Sequence, residues 1–171
     1  MPLFRPTHTR DRVTDLTPQE LKNWGIHGVL LDVDNTLTTH HGMRPLPLLA
    51  GWIAAMRAAG IKLMIASNSH EDRVKPFADL LGVEYQPGCK KPLPFGLKRA
   101  IGRMNLPKNR VLLVGDQIFT DILGGCFLGI ATVLVRPIEP EPGRAFRFKR
   151  FLERPFSRRA YRLTKNGGKR A

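Results

Sequence analysis

Asp32 and Asp34 stand two positions apart in the segment Asp32-Val33-Asp34-Asn35-Thr36, at the end of the apolar run Gly28-Val29-Leu30-Leu31. In extended chain, residues i and i+2 point the same way, so both carboxylates can face one site. A divalent cation relieves their repulsion, and hard oxygen ligands favour Mg²⁺ over zinc. One carboxylate can then act as nucleophile while the other handles protons. Asp116 offers a further oxygen ligand, Ser67 can donate to an anion, and Lys91 can neutralise charge developing on one. Together these groups suit phosphoryl transfer. Each has a plainer use alone: Asp-x-Asp is common in turns, Ser67-Asn68 reads as a helix cap, and Lys90-Lys91-Pro92 as a solvated turn. What lifts the set is its order along the chain, each member following a strand or lying on its connecting loop.

The elements that must position these groups alternate. Strand-like runs occupy Gly28–Val33, Ile61–Ala66, Val111–Val114 and Ala131–Val135, with a short candidate at Val83–Tyr85. Helical spacing fills Leu46–Ala59 (stopped by Gly60), Glu71–Leu81 (closed by Gly82), Phe95–Met104 and Asp121–Leu128. Alternating β and α with continuously apolar strands predicts an α/β fold, a mainly parallel sheet covered on both faces. In such sheets functional groups gather at the carboxyl ends of the strands, where Asp32, Asp34, Ser67, Asn68 and Asp116 fall.

The ordered set Asp32-Val33-Asp34-Asn35-Thr36, Ser67-Asn68, Lys91-Pro92 and Gly115-Asp116-Gln117-Ile118-Phe119-Thr120-Asp121 resembles the four motifs of the haloacid dehalogenase (HAD) superfamily. Its DxDNT and GDQxxTD forms resemble subclass IIIA, in particular the YqeG-like phosphatases, and the likeness spans about residues 12–138. The resemblance implies a three-layer Rossmann-like fold. It also implies an Mg²⁺-dependent phosphomonoester hydrolase in which Asp32 becomes an aspartyl-phosphate and Asp34 protonates the leaving group, then activates water. Thr36 and Ser67 would hold phosphate oxygens with Asn68 beside them, and Lys91 would bridge nucleophile and phosphate. Asp32, the carbonyl of Asp34 and Asp116 would hold the metal, with Asp121 orienting Lys91 or the metal's waters. The implied substrate is phosphatidylglycerophosphate, converted to phosphatidylglycerol.

Spacing adds a constraint. Thr36 and Ser67 are 31 positions apart and Ser67 and Lys91 are 24 apart, room for one helix each and for no cap domain. An uncapped site is open to solvent and admits a phosphate carried on lipid, protein, nucleic acid or oligosaccharide. A neighbouring subunit could close it over a small substrate. His40 and His41, just past the nucleophile loop, read as loop residues, and Trp24 and Trp52 as core.

The 171 residues fit one domain with appendages: an extension over 1–11, a phosphatase-like domain over 12–138 and a tail over 139–171. Of the net charge of +14, the segment Arg136–Ala171 supplies +9, from 12 Lys/Arg against 3 Asp/Glu. The tail interleaves Phe146, Phe148, Phe151, Leu152, Phe156 and Tyr161 with arginines and Lys149, a pattern suited to an anionic membrane surface. Pro155 is expected to limit it to two short helical pieces. Nucleic acid is the alternative anionic partner, though no known nucleic-acid module is visible; the plainer readings of the tail are a disordered basic extension or apolar residues docking on the domain. Two isolated cysteines argue against structural zinc and suit a reducing cytoplasm. The start lacks the apolar run of a signal peptide, and the longest apolar stretch, Ile122–Val135, holds 14 residues with three glycines. That is short of the about 20 that span a bilayer. A cytoplasmic protein with peripheral membrane contact is the expectation.

Overall fold

The computed structural model describes residues 4–40, 42–140 and 143–167, the side chains of 144–146 and 164–167 excepted. In chain order the elements are β1 (His8–Arg10), α1 (Pro18–Asn23), β2 (Gly28–Leu31), α2 (Leu49–Ala58), β3 (Lys62–Ala66) and α3 (Glu71–Leu81). There follow β4 (Glu84–Gln86), α4 (Pro94–Met104), β5 (Val111–Gly115), α5 (Leu123–Leu128), β6 (Ala131–Val135) and α6 (Arg144–Gly167). The strands form one parallel sheet in the order β1-β6-β5-β2-β3-β4. From β2 the chain first builds outward through β3 and β4, then returns to the other side for β5 and β6. The order therefore reverses at β2, and the crevice that such a reversal opens lies at its carboxyl end, where Asp32 stands.

Side-chain alternation along the strands divides the core into two layers. Val29, Leu31, Leu112 and Val114 face α2 and α3, packing with Trp52, Ile53, Met56, Val74 and Phe77. Leu30, Met64, Val111 and Leu113 face the other way, onto Leu97, Ala100, Ile101 and Met104 of α4. The helices open and close with ordinary signals. Pro94 sits at the first position of α4, and Gly82 ends α3 in the left-handed conformation. No domain interrupts β2–β3 or β3–β5 among the described residues, so the three-layer α/β architecture stands without a cap.

Several segments differ from the sequence reading. His8–Arg10, placed in an N-terminal extension, adds the edge strand, pairing with Val133–Val135. The expected helix Asp121–Leu128 is instead a π-turn at Ile118–Ile122 followed by α5. The Gln117 carbonyl accepts from both Asp121 and Ile122 N–H, at 3.0 and 3.2 Å. The tail is one helix of 24 residues, not two pieces. Pro155 is exposed, so the carbonyl its ring strands can meet water. The opposite face of α6 is anchored: Ala160 packs with Ile118, Ile122 and Leu134, and Phe156 packs with Phe4 and Phe119. No helix among the described residues is long and apolar enough to cross a membrane.

Candidate active site

The carboxyl ends of β2, β3 and β5 meet in register: Leu31 lies beside Ile65 on one side and Val114 on the other. Asp32, Ser67 and Asp116 follow within two residues of that row. The Asp32 amide donates to the Val114 carbonyl (2.9 Å), fixing the nucleophile candidate against β5. Beyond it the chain turns at Asn35, which takes the left-handed conformation that Asn tolerates at little cost.

Lys91 is the hub. Its Nζ lies 2.7 Å from Asp32 Oδ1 and 2.7 Å from Asp121 Oδ1, and all three side chains are buried. Asn68 holds the lysine's backbone at both ends: the Lys91 N–H donates to Asn68 Oδ1 (2.6 Å), and Asn68 Nδ2 donates to the Lys91 carbonyl (3.1 Å). Asp121 reaches the hub because residue 115 is glycine. A Cβ there would fall 2.2 Å from Asp121 Cγ. The other Asp121 oxygen accepts from Gln117 N–H at 3.1 Å.

Burial shapes the electrostatics. It pushes the Asp32 carboxyl up to about 6, with Lys91 opposing and Asp121 adding to the rise. Burial raises Asp116 well above the usual carboxylate range, against the pull of Arg150 and with Asp121 and Asp32 reinforcing. For Lys91, burial alone would lower the pKa, but the Asp121 and Asp32 carboxylates overcome it and hold the ammonium charged. Ligand oxygens of Asp32, Asp116 and Asp121 all lie within 4.8 Å of one another. Asp116 Oδ1 is buried without a hydrogen-bond partner. Three crowded carboxylates with an orphaned oxygen fit an oxygen-ligated divalent cation.

Around this cluster a cavity of about 290 Å³ is lined by Asp32, Asp34, Ser67, Asn68 and Lys91 among others. The Ser67 hydroxyl accepts from Ser69 N–H (3.1 Å), which leaves its hydrogen to donate. Thr36 Oγ1 is buried without a partner. The Asp34 carboxylate is ion-paired with Arg73 of α3 and accepts from Ser69 Oγ at 3.4 Å. His40 also lines the cavity, while His41 lies outside the described residues. Trp52 is core, its Nε1 donating to the Leu16 carbonyl (2.7 Å), and Trp24 is half-buried against the same core and stacks on His8.

The site is not simply open, as the lack of a cap suggested. The first turns of α6 wall one side. Lys149 lines the cavity and bonds to Gln117. Arg150 pairs with the Asp116 carboxylate and donates to its carbonyl at 2.8 Å. Glu153 accepts from Phe119 N–H at 2.9 Å, tying α6 to the π-turn.

A model of haloacid dehalogenase-like hydrolases matches residues 43–125. The chain is 36% identical over 151 residues to the "Probable phosphatase YqeG" of Bacillus subtilis (strain 168), covering 88% of each protein. The chain belongs to the haloacid dehalogenase-like hydrolase family. It is a phosphatase of that family. It is also 31% identical over 129 residues to phosphatidylglycerophosphate phosphatase 1, chloroplastic/mitochondrial, of Arabidopsis thaliana, spanning 69% of this chain and 36% of that longer protein. A solved haloacid dehalogenase-like hydrolase from Brucella suis 1330 shares the fold, with a TM-score of 0.58 at 12% identity over 73% of this chain and 88% of that one. Arg73, Ser69, Lys149 and Arg150 touch the site residues or line the cavity and were not singled out as site residues from the sequence. None belongs to a motif, and only their positive charge or hydroxyl hinted at a role.

Proposed function

We propose that this HAD phosphatase hydrolyses a phosphomonoester through an aspartyl-phosphate on Asp32, and that its substrate is phosphatidylglycerophosphate. The observation that carries the chemistry is the buried Lys91 ammonium set between Asp32 and Asp121. Asp32 Oδ attacks phosphorus, and the P–O bond to the glycerol oxygen breaks. The Asp34 carboxyl gives that oxygen a proton, then takes one from water as the water attacks the phosphoryl group. Free phosphate leaves and Asp32 is restored. Thr36 and Ser67 hold phosphate oxygens, Asn68 steadies Lys91 beside them, and Lys91 neutralises charge on the transferring group. Arg73 pairs with the ionised form of Asp34, the form that takes the proton from water in the second step. Mg²⁺ is the cofactor that Asp32, Asp116 and the Asp34 carbonyl would hold, with Asp121 supporting, and it would offset charge on the carboxylates and the phosphoryl group.

The lipid reading draws on the named Arabidopsis relative and on α6. Phe148, Phe151 and Leu152 are exposed on that helix among basic residues, and such a face suits the headgroup layer of an anionic membrane. The test is phosphate release from phosphatidylglycerophosphate in mixed micelles, with Mg²⁺ or EDTA. We expect metal-dependent release that falls by about 10⁴-fold or more in Asp32→Asn. Phe148→Ser/Phe151→Ser is expected to raise the apparent KM for micellar substrate and to leave hydrolysis of a soluble aryl phosphate unchanged. Efficient turnover of small soluble phosphates alone would sink the lipid assignment.

A further inference from the structure

Two lysines line the active-site cavity, and they are engaged differently. Lys91, at the buried end, gives two of its three N–H bonds to the Asp32 and Asp121 carboxylates. Lys149 reaches the cavity from α6, is half-buried, and donates to a neutral oxygen, Gln117 Oε1. The Thr120 hydroxyl donates to the same oxygen at 3.1 Å. Lysine, glutamine and threonine thus make one polar edge of the cavity.

A helical lysine is ordinarily solvated or paired with an acid one turn away. Glu153 stands at that spacing, but its carboxylate accepts from Phe119 N–H and pairs with Arg150. Lys149 pairs with no carboxylate among the described residues. Nor is its place left to the stem alone. Arg150 ties the next residue to Asp116, and Phe156 and Ala160 anchor the helix beyond. In the proposed hydrolysis Thr36, Ser67 and Lys91, all buried, serve the transferring phosphoryl group. The cavity of about 290 Å³ extends past them to residues that no step of that hydrolysis uses: His40, Gln117, Thr120 and Lys149. These line the space left for the leaving group.

We infer that Lys149 is a specificity-determining residue: it binds a second anionic group carried on the leaving group, a few atoms from the ester oxygen, and so favours esters that bear one. The ammonium is a compact charge on a flexible stem, able to leave Gln117 for an anion. An ionised acceptor also makes a shorter and stronger hydrogen bond than an amide carbonyl does. This selection rests on the proposed phosphomonoester site, and it holds whichever ester is the natural one.

Two soluble esters that differ in this feature provide the test. 3-Phosphoglycerate carries a carboxylate where glycerol 3-phosphate carries a hydroxymethyl group. Each is titrated calorimetrically into the full chain with Mg²⁺, in an Asp32→Asn background where neither turns over. The anion-bearing ester is expected to bind about tenfold more tightly. Lys149→Met is expected to erase that difference and Lys149→Arg to keep most of it. Arg154→Met removes a cation from the exposed face of the same helix and is expected to leave the difference in place. Should the Asp32→Asn chain not fold, competitive inhibition constants of the two esters against a soluble aryl phosphate give the same comparison with Asp32 intact. Equal binding of the two esters, or a preference that survives Lys149→Met, would overturn the inference. So would equal weakening of both esters in Lys149→Met, which would put Lys149 on the transferring phosphoryl group. A preference lost in Lys149→Met, with no hydrolysis of phosphatidylglycerophosphate by wild type, supports the inference and defeats the lipid assignment alone. Hydrolysis of that lipid with a preference unmoved in Lys149→Met defeats the inference alone.

Discussion

The carboxylate cluster is held from two sides, and the two sides are built differently. On one, Lys91 comes from a loop within the sheet's own connections, is buried, and faces Asp32 and Asp121 together. On the other, Arg150 arrives from the C-terminal helix, keeps 22% of its side chain exposed, and meets Asp116. A buried cation between two buried anions leaves both uncompensated when removed. A partly exposed one leaves a group that water or a metal can still reach. The Lys91 side is therefore integral to the fold, and the Arg150 side is an adjustable wall.

That contrast sets an order of effects. Lys91→Met strands two carboxylates in the interior. It is expected to cost about 3–5 kcal/mol in denaturant unfolding and to lower turnover by about 10³-fold. Withdrawing the metal comes next. If Mg²⁺ binds the folded cluster, raising it to about 100 times its Kd should stabilise the protein by about 2.7 kcal/mol relative to EDTA, read as a shift in Tm. Arg150→Gln is expected to cost about 1–2 kcal/mol in EDTA. Saturating Mg²⁺ should shrink that loss, because the metal supplies the charge that Asp116 has lost, and should leave the Lys91→Met loss large. Equal metal rescue of both variants would erase the distinction between the two sides.

The smallest effect lies at the edge strand. Burial lowers the His8 pKa below the usual 6.5, with Arg10 adding to the fall and Glu20 opposing it. The folded state thus favours the neutral ring stacked 3.7 Å from Trp24. Stability from this group is present above the ordinary histidine pKa and is lost as pH falls through and below it. A slight drop in Tm between pH 7 and pH 5, absent in His8→Phe, is the expected result.

The same contrast separates what the sequence discloses from what it hides. The sheet's central strands are readable because Gly28–Leu31, Val111–Gly115 and the last three residues of Lys62–Ala66 are buried on both faces, and so are nearly continuous apolar runs. The Lys91 side is readable too, since its residues fall directly after those strands or on their loop. The edge strand His8–Arg10 leaves no such trace, being three residues long with one inward side chain. The first helix did leave one: Thr17 caps it, Pro18 opens it, and Glu20 closes a capping box. The wall side is the hardest to see. The helix that carries Arg150 is basic and contains Pro155, features of a solvated tail. Its docking depends on Phe4, Phe119, Leu134 and Glu153, which come together only in three dimensions.

The central claim is that Asp32 carries the phosphoryl group. Its most direct test is to mix the full chain with phosphatidylglycerophosphate and Mg²⁺, quench in acid within the first turnover, and map the digest by mass spectrometry. One phosphoryl group on the peptide containing Asp32, absent in Asp32→Asn and in EDTA, is the predicted result. Turnover with no modified peptide, or a phosphoryl group on any other residue, would contradict it.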